Sequence, residues 1–202
     1  MHLSSFQHME TLVKQHLDEN RRLKIVDIGS YDVNGTYGTL FKGRPNWTYQ
    51  GVDLEAGPNV DIVLKDPYTI PLASDSVDLI VSGQAFEHVE YFWLSWLEMT
   101  RIVKPGGMIF LIAPSRGPEH RHPQDCWRFY PDSYRALAKY GSFELVDVHT
   151  DWTPHDDPDS SHWGDTVGVF RKGRETLPAR VLRAVLNTAA HMYLRQSALA
   201  KS

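Results

Sequence analysis

Residues 114–133 contain an unusual concentration of side chains suited to acid–base chemistry. His120 and His122 are two positions apart, so in an extended segment they point the same way, and Asp125 is placed to orient one of them. The ordinary histidine pKa of about 6.5 suits a general base for a weak nucleophile such as a hydroxyl. We therefore predict a base among His122, His120 and Asp125. In the alternative, these histidines only hydrogen-bond the backbone and hold the loop in place.

Residues 24–35 have the pattern of a buried strand that runs into a polar turn. The apolar stretch 24–28 is followed by glycines at positions 29 and 35. A glycine directly after a buried strand lets a ligand approach the backbone where a Cβ atom would collide. The carboxylates of Asp27 and Asp32 suit hydroxyls or positive charge better than phosphates. The turn therefore indicates a nucleoside-type ligand.

Alternating strands and helices follow this turn. An amphipathic helix is predicted over 90–103, and strands are predicted over 48–52, 60–64, 77–82 and 108–113. This alternation predicts a parallel sheet with helices on both faces and ligands at the carboxyl ends of its strands. Asp53 ends the second strand, where dinucleotide folds bind ribose hydroxyls.

An N-terminal helix is predicted over residues 4–20, with apolar side chains three and four positions apart. We expect this helix to pack on the edge of the sheet. In the alternative, Phe6 and Met9 cover the ligand as a lid.

The composition is that of an ordinary globular protein. The chain has 202 residues, 42% of them hydrophobic, which predicts one α/β domain with appendages. Its net charge of -4 disfavours nucleic acid as a partner. Cys126 is the single cysteine and no apolar run has transmembrane length, so we expect a cytoplasmic protein without an internal disulfide.

Five segments, in this order, resemble the motif series of class I S-adenosylmethionine-dependent methyltransferases. They are VDIGS at 26–30, GVDL at 51–54, DLIVS at 78–82, FEHV at 86–89 and VKPGG at 103–107. The resemblance covers about residues 22–150. It implies an α/β fold, the Rossmann-like seven-stranded methyltransferase sheet, which is mostly parallel with the last strand antiparallel and has helices on both faces. The final strands would be 143–149 and 166–171.

The resemblance also implies how S-adenosylmethionine would bind. The methionine part would lie near the first turn, the ribose at Asp53, the adenine at Leu54 and Asp66, and the sulfonium above the loop after the fourth strand. The family's usual second glycine is replaced by Tyr31, so neighbouring residues would take over its contacts. The implied cofactor-binding residues are Asp27, Gly29, Ser30, Asp32, Asn34, Gly35, Asp53, Leu54, Asp66, Ser82, Gly83 and Gln84.

The acceptor site is expected over the loop that follows the fifth strand. The segment HPQDCWRF at 122–129 resembles a branch of these enzymes associated with sugar and polysaccharide assembly, including the small sugar O-methyltransferases of methylated mannose polysaccharides. This resemblance implies a hydroxyl of a mono- or oligosaccharide as the acceptor. Trp127 offers a flat face for a sugar ring and Arg128 a donor to hydroxyls. The predicted acceptor-binding residues are Glu87, His88, Trp127, Arg128 and His155.

Residues 151–165 form an acidic insertion with five aspartates and two histidines. Such oxygen-rich segments bind Mg²⁺ or Ca²⁺, although the spacing matches no calcium-binding loop. A solvated loop at the border of the acceptor site is the favoured interpretation, and Mg²⁺ is the alternative.

The predicted domain spans residues 1–170, with acceptor loops at about 114–133 and 151–165, and residues 171–202 form a basic amphipathic tail. This tail is expected to pack on the body or in a homodimer, or to bind anionic lipid as a peripheral anchor.

Three functions stay open. The leading one is methyl transfer from S-adenosylmethionine to a sugar hydroxyl. The second keeps the cofactor and changes the acceptor to an oxygen, nitrogen or carbon atom of another small metabolite. The third is a cofactor-binding module without turnover.

Overall fold

Seven strands form one sheet in a computed structural model, which describes residues 1–174 and 176–199. The strands are β1 (Leu23–Ile28), β2 (Trp47–Asp53), β3 (Ile62–Val63), β4 (Val77–Gly83), β5 (Val103–Pro114), β6 (Phe143–Thr150) and β7 (Asp165–Lys172). Their spatial order is β3-β2-β1-β4-β5-β7-β6. β7 is antiparallel to both of its neighbours and the other pairs are parallel. The predicted Rossmann-like methyltransferase sheet is therefore confirmed.

One helix precedes the first strand, one follows the last strand, and the other helices lie in connections between strands. They are α1 (Leu3–His16), α2 (Gly38–Phe41), α3 (Phe92–Ile102), α4 (Pro131–Gly141), α5 (Pro158–Trp163) and α6 (Leu177–Leu199), and a short 3-10 helix spans Phe86–His88. Two helices lie where the sequence indicated only loops. Proline in the first turn of α4 and of α5 is compatible with a helix start, and the Asp157 carboxylate caps α5 by accepting from the Ser160 amide.

Each face of the sheet is covered by its own apolar layer. Leu79 and Val81 of β4 point into the layer beneath α1 and α2, whereas Ile80 between them points into the layer beneath α3 and α4. Met9 of α1 is fully buried in the first layer. α1 therefore packs on a face of the sheet, not on its edge, and Met9 is a core residue and not a lid.

The basic tail was predicted to begin at residue 171, but the last strand continues to Lys172. Arg171 and Lys172 still belong to β7, and the Lys172 ammonium is buried, donating to the Asp75 carboxylate and to the Thr100 and Val103 carbonyls at 2.7–2.8 Å. This buried pairing removes one positive charge from the predicted basic surface. Residue 175 and residues 200–202 of that tail lie outside the described part of the chain.

α6 packs against α3 and keeps an apolar stripe on its outside. His191 Nε2 lies 3.9 Å from Glu98 Oε1 of α3, which anchors the helix to the body. Leu177, Val181 and Val185 are spaced four residues apart, so they share one side of the helix, and all three are more than half exposed. No helix within residues 1–174 and 176–199 combines the length and apolarity needed to cross a bilayer.

Candidate functional site at the carboxyl edge of the sheet

The turns that follow β1 and β2 are joined directly by hydrogen bonds. The Gly29 and Ser30 amides donate to the Val52 carbonyl at 2.9 and 3.2 Å, and the Tyr31 amide donates to Asp53 Oδ2 at 2.8 Å. These bonds form because parallel neighbours end at the same edge of a sheet. The structure thus brings the predicted methionine-end and ribose-end residues together.

Gly29 packs tightly against the loop that follows β4. Its φ angle is +81°, and a Cβ atom there would lie 2.4 Å from the Ala85 Cβ atom. The buried Ser82 side chain links β4 to β1, because its hydroxyl donates to the Ile28 carbonyl at 2.8 Å. Beside Ser82, a Cβ atom on Gly83 would lie 2.1 Å from the Tyr37 hydroxyl. Glycine is therefore required at positions 29 and 83 for the loops to meet.

Asp53 has the chemistry expected of a ribose-binding residue. Its carboxylate is half-buried and accepts from the Tyr31 amide at 2.8 Å and from the Leu54 amide at 2.6 Å. Oδ1 also accepts a long hydrogen bond from the Glu55 amide at 3.5 Å, and Oδ2 has a second lone pair, so the carboxylate keeps capacity for the hydroxyls of a cis-diol. The Leu54 side chain next to it is 44% exposed, which leaves an apolar surface for a base. These residues fit the nucleoside part of S-adenosylmethionine.

The turn of residues 31–35 is shaped by its own side chains. Asp32 Oδ1 accepts from the Gly35 amide at 2.8 Å, and Asn34 Oδ1 accepts from the amino group of Met1 at 2.6 Å. The Tyr31 ring packs over Gly57, where a Cβ atom would lie 2.1 Å from the ring. Asp32 therefore stabilises the turn that replaces the usual second glycine, and its contact with a cofactor stays a prediction.

Asp27 is the most strongly perturbed acid in this part of the site. Burial raises the pKa of Asp27 to about 7, against the hydrogen bond that the Tyr49 hydroxyl donates to it at 2.6 Å. A nearby positive group, such as the amino group of a methionine moiety, would favour the ionised carboxylate.

Asp66, further along the same edge, accepts from the Tyr68 amide at 2.8 Å and is half-buried.

Gln84, in the loop after β4, is held in a strained backbone conformation by a hydrogen bond to Asp165. Gln84 has a φ angle of +57°, which is uncommon for a residue with a side chain. Its amide nitrogen donates to Asp165 Oδ1 at 2.9 Å, and buried Asp165 also pairs with His2 Nε2 at 2.9 Å. Asp165 lies at the start of β7, opposite Pro114 at the end of β5. The sequence marked Asp165 only as one aspartate of the acidic insertion 151–165, and its place at this edge follows from the start of the antiparallel strand β7.

The loop after β5 folds back over the 3-10 helix that follows Gln84. The Cys126 amide donates to the Glu87 carbonyl at 2.7 Å, and the Trp127 indole donates to the Val89 carbonyl at 3.0 Å. His88 and Gln124 are also paired, through His88 Nδ1 and the Gln124 carbonyl at 2.6 Å. The predicted acceptor loop is therefore fixed over the loop that would line the floor beneath the sulfonium.

Three histidines and one carboxylate meet between these two loops. The His88 and His120 ring centroids are 4.7 Å apart, and His122 lies 5.7 Å from His88 and 6.0 Å from His120. Glu87 Oε1 lies 3.6 Å from His88 Nε2 and 4.0 Å from His120 Nε2. The structure thus brings together two predicted catalytic residues, His120 and His122, and two predicted acceptor residues, Glu87 and His88.

Burial changes the proton affinity of this cluster. It raises the pKa of the fully buried Glu87 carboxyl to about 8 and lowers the pKa values of His88 and His120. All three shifts favour the neutral form, as expected where charge is removed from water.

Asp125 is close to His120 and not to His122 in this arrangement. It accepts from the His120 amide at 2.8 Å, and His120 Nδ1 lies 3.4 Å from Asp125 Oδ2. Arg128 binds the same carboxylate through two nitrogens at 2.5 and 2.8 Å, which holds the pKa of Asp125 well below its usual range. The Arg128 guanidinium is therefore paired with Asp125, and its binding of acceptor hydroxyls stays a prediction.

The remaining predicted acceptor residues lie apart from each other. Trp127 is 38% exposed and its ring leans on Phe92, with centroids 5.3 Å apart. His155 pairs with Asp151 at 2.8 Å, and Asp151 also pairs with His8 at 2.9 Å. The acidic insertion therefore uses Asp151 for histidine pairing and Asp157 for helix capping, and His155 is tied to that insertion.

Comparison with known proteins supports the resemblance. Residues 45–111 match the family model described as a methyltransferase domain. An uncharacterized methyltransferase of Mycobacterium bovis is 48% identical over 104 residues, which are 51% of this chain and 35% of that protein. This chain therefore spans about a third of the length of that relative.

Solved structures share the fold at low sequence identity. The 1,6-didemethyltoxoflavin-N1-methyltransferase of Burkholderia thailandensis, with S-adenosylhomocysteine bound, has a TM-score of 0.65 and 15% identity, covering 84% of this chain and 79% of that one. A SAM-dependent methyltransferase of Methanosarcina mazei has a TM-score of 0.62 and 13% identity, covering 81% and 98%. The chain is therefore similar to a methyltransferase domain over residues 45–111, and it shares the fold of solved S-adenosylmethionine-dependent methyltransferases.

We predict that Asp53→Asn weakens binding of S-adenosylhomocysteine by roughly ten- to hundredfold. The substitution removes the charge that strengthens hydrogen bonds to two ribose hydroxyls, a loss of about 1.5–3 kcal/mol. Isothermal titration measures the dissociation constant, and Glu55→Gln on the neighbouring exposed position is the matched control. An unchanged constant for Asp53→Asn, with the thermal midpoint also unchanged, would show that the ribose does not bind here.

Proposed function

We propose that this chain transfers a methyl group from S-adenosylmethionine to a hydroxyl of a sugar or oligosaccharide. The observation that carries the proposal is the cluster of His88, His120 and His122 around buried Glu87, beside the turns that suit the cofactor. A domain that only binds the cofactor needs no such group at this position. We further propose one domain that extends from residue 1 to the end of β7 at Lys172, two residues beyond the predicted boundary at 170, with the tail following it.

Different residues of the chain would bind different parts of the cofactor. Asp53 would hold the ribose hydroxyls, Leu54 and Asp66 the adenine, and Asp27 with the turn of residues 29–35 the methionine end. Gly83 and Gln84 would line the floor under the sulfonium. When bound, S-adenosylmethionine supplies an electrophilic methyl group, whose bond to sulfur breaks as the acceptor oxygen forms its bond to carbon. Holding the acceptor in line accounts for much of the barrier reduction in such transfers.

His122 is the general base in this proposal. Its ring is exposed at the cluster, whereas His120 lies between Glu87 and Asp125. A hydroxyl bound beside the cluster would give its proton to His122 as the oxygen attacks. Asp125 acts through His120 and is a positioning residue, and Arg128 holds Asp125 in turn.

The sugar acceptor is supported by the exposed face of Trp127 and by the resemblance of residues 122–129 to sugar-modifying methyltransferases. Flat aromatic faces suit the apolar faces of sugar rings. A small-metabolite acceptor is the second candidate, because the structural neighbour from Burkholderia thailandensis is named for methylation of a ring nitrogen. A cytoplasmic location stays a prediction.

The tail helix suits an anionic lipid surface. The exposed stripe of Leu177, Val181 and Val185 is accompanied by Arg180 and Arg183 on the same helix, a combination typical of helices that lie in a membrane interface. We propose that α6 brings the enzyme to the membrane, with homodimerisation as the competing role.

For α6 we expect the full chain to float with vesicles that contain phosphatidylserine and to lose this binding in high salt. The double substitution Val181→Glu and Val185→Glu should abolish flotation, because it places charge on the apolar stripe, whereas Thr11→Glu on exposed α1 should not. A wild-type chain that stays with the lipid-free fraction contradicts the anchor. A mass in light scattering that falls from dimer to monomer in the double variant would assign the stripe to dimerisation.

For the chemistry we expect His122→Asn to lower the rate of tritiated methyl transfer to mono- and oligomannosides by about a hundredfold or more, because a positioned base is lost. The dissociation constant of S-adenosylhomocysteine should stay within about a factor of two of the wild-type value. His149→Asn, on an exposed position of β6, is the matched control. Full turnover in His122→Asn would exclude His122 as the base, and transfer only to non-sugar acceptors would favour the second candidate.

A further inference from the structure

We propose that Glu87, His88 and His120 form a binding site for a divalent transition-metal ion, for which Zn²⁺ is the best match. Each residue offers one ligand atom, and the three atoms lie within 4.8 Å of one another. Two imidazole nitrogens with one carboxylate oxygen suit Zn²⁺ and related ions, whereas Mg²⁺ prefers oxygen ligands throughout.

The spacing of these atoms is that of ligands and not of hydrogen-bond partners. Glu87 Oε1 is 3.6 Å from His88 Nε2 and 4.0 Å from His120 Nε2, too far for direct hydrogen bonds. Ligands about 2.1 Å from a tetrahedral ion are about 3.4 Å apart. The three atoms now lie within 4.8 Å of one another, so an ion fits between them once the His120 ring moves closer to the other two ligands.

The Glu87 carboxyl has no hydrogen-bond partner on another residue in the described part of the chain. It is fully buried, and neither oxygen makes a hydrogen bond within the described part of the chain. An ionised carboxylate in such a place is costly unless a cation or donors compensate its charge. A bound ion would compensate the carboxylate charge through a bond to Oε1.

Both histidines are held with Nε2 facing Glu87. His88 Nδ1 donates to the Gln124 carbonyl at 2.6 Å, which leaves the lone pair on Nε2. His120 Nδ1 points toward the Asp125 carboxylate at 3.4 Å. Metal-binding histidines are usually oriented in this way, with the second ring nitrogen directed at a carbonyl or carboxylate.

Another histidine–carboxylate group, centred on Asp151, shows the contrast. His8 and His155 each approach Asp151 Oδ2 directly, at 2.9 and 2.8 Å. Those hydrogen bonds satisfy the carboxylate without an ion. Asp151 therefore provides a matched control in the same protein.

The acceptor hydroxyl would bind at this metal site, an extension that rests on the proposed function. Three protein ligands leave at least one coordination position open. An acceptor hydroxyl bound there would have a lower pKa and would give its proton to His122. Its oxygen would then form the bond to the methyl carbon, and the electrons of the broken C–S bond would stay on sulfur.

The test is a titration of the tag-free, chelator-treated full chain with Zn²⁺, Mn²⁺ and Mg²⁺, without cofactor or acceptor. We expect one Zn²⁺ per chain, bound more tightly than Mn²⁺, and no saturable Mg²⁺ binding at the same concentrations. Glu87→Gln and His120→Asn should each weaken Zn²⁺ binding by about tenfold or more, whereas Asp151→Asn and His149→Asn should leave it unchanged. X-ray absorption of the Zn²⁺-loaded wild type should show two imidazole ligands and an oxygen shell.

Absence of stoichiometric Zn²⁺ binding would overturn the proposal, as would wild-type affinity in a folded Glu87→Gln variant or loss of binding in Asp151→Asn. If Glu87→Gln does not fold, the absorption spectrum of the wild type decides, because a sulfur ligand or a single imidazole would be incompatible with this site. Because the titration uses neither cofactor nor acceptor, a negative result leaves methyl transfer untouched. Conversely, Zn²⁺ binding without methyl transfer would contradict only the proposed function.

Discussion

The close approach of Gly29 to Ala85 is the constraint on which the candidate site depends. β1 and β4 are parallel neighbours at the point where the strand order reverses, and the loops that leave them must share one edge of the sheet. A side chain at position 29 would collide with Ala85, so this contact sets the distance between the loop that would hold the methionine end and the loop that leads to Glu87. The bond from Ser82 to the Ile28 carbonyl fixes the same pair of strands.

A second group of contacts, between the loop after β4 and the loop after β5, positions the acceptor side of the site. The carbonyl of Glu87 accepts from the amides of the loop after β5, so the histidines of that loop are placed by the backbone of the loop after β4. Buried Glu87 is expensive for folding, because its carboxylate has no hydrogen-bond partner on another of the described residues. Proteins retain such groups where binding or chemistry compensates for the loss of stability.

Much of this architecture was predictable from the chain. The apolar runs that became β1, β4 and β5 are buried on both faces, so their pattern is strong, and the glycine turn and Asp53 follow from strand positions alone. α4 was missed because its first turn overlaps the loop-like segment 114–133, and α5 was missed because it is a six-residue helix whose start depends on the Asp157 cap. The pairing of Arg128 with Asp125, the burial of Glu87 and the contact of Asp165 with Gln84 depend on side-chain packing between distant segments, which no local pattern reveals.

A crystal structure with S-adenosylhomocysteine would test whether the carboxyl edge holds the methyl donor beside the histidine cluster. We expect ribose hydroxyls on Asp53, adenine against Leu54 and the sulfur atom over Gly83 and Gln84, facing the cluster of Glu87, His88, His120 and His122. A ligand bound at another edge of the sheet, or one whose sulfur faces away from that cluster, would contradict this arrangement.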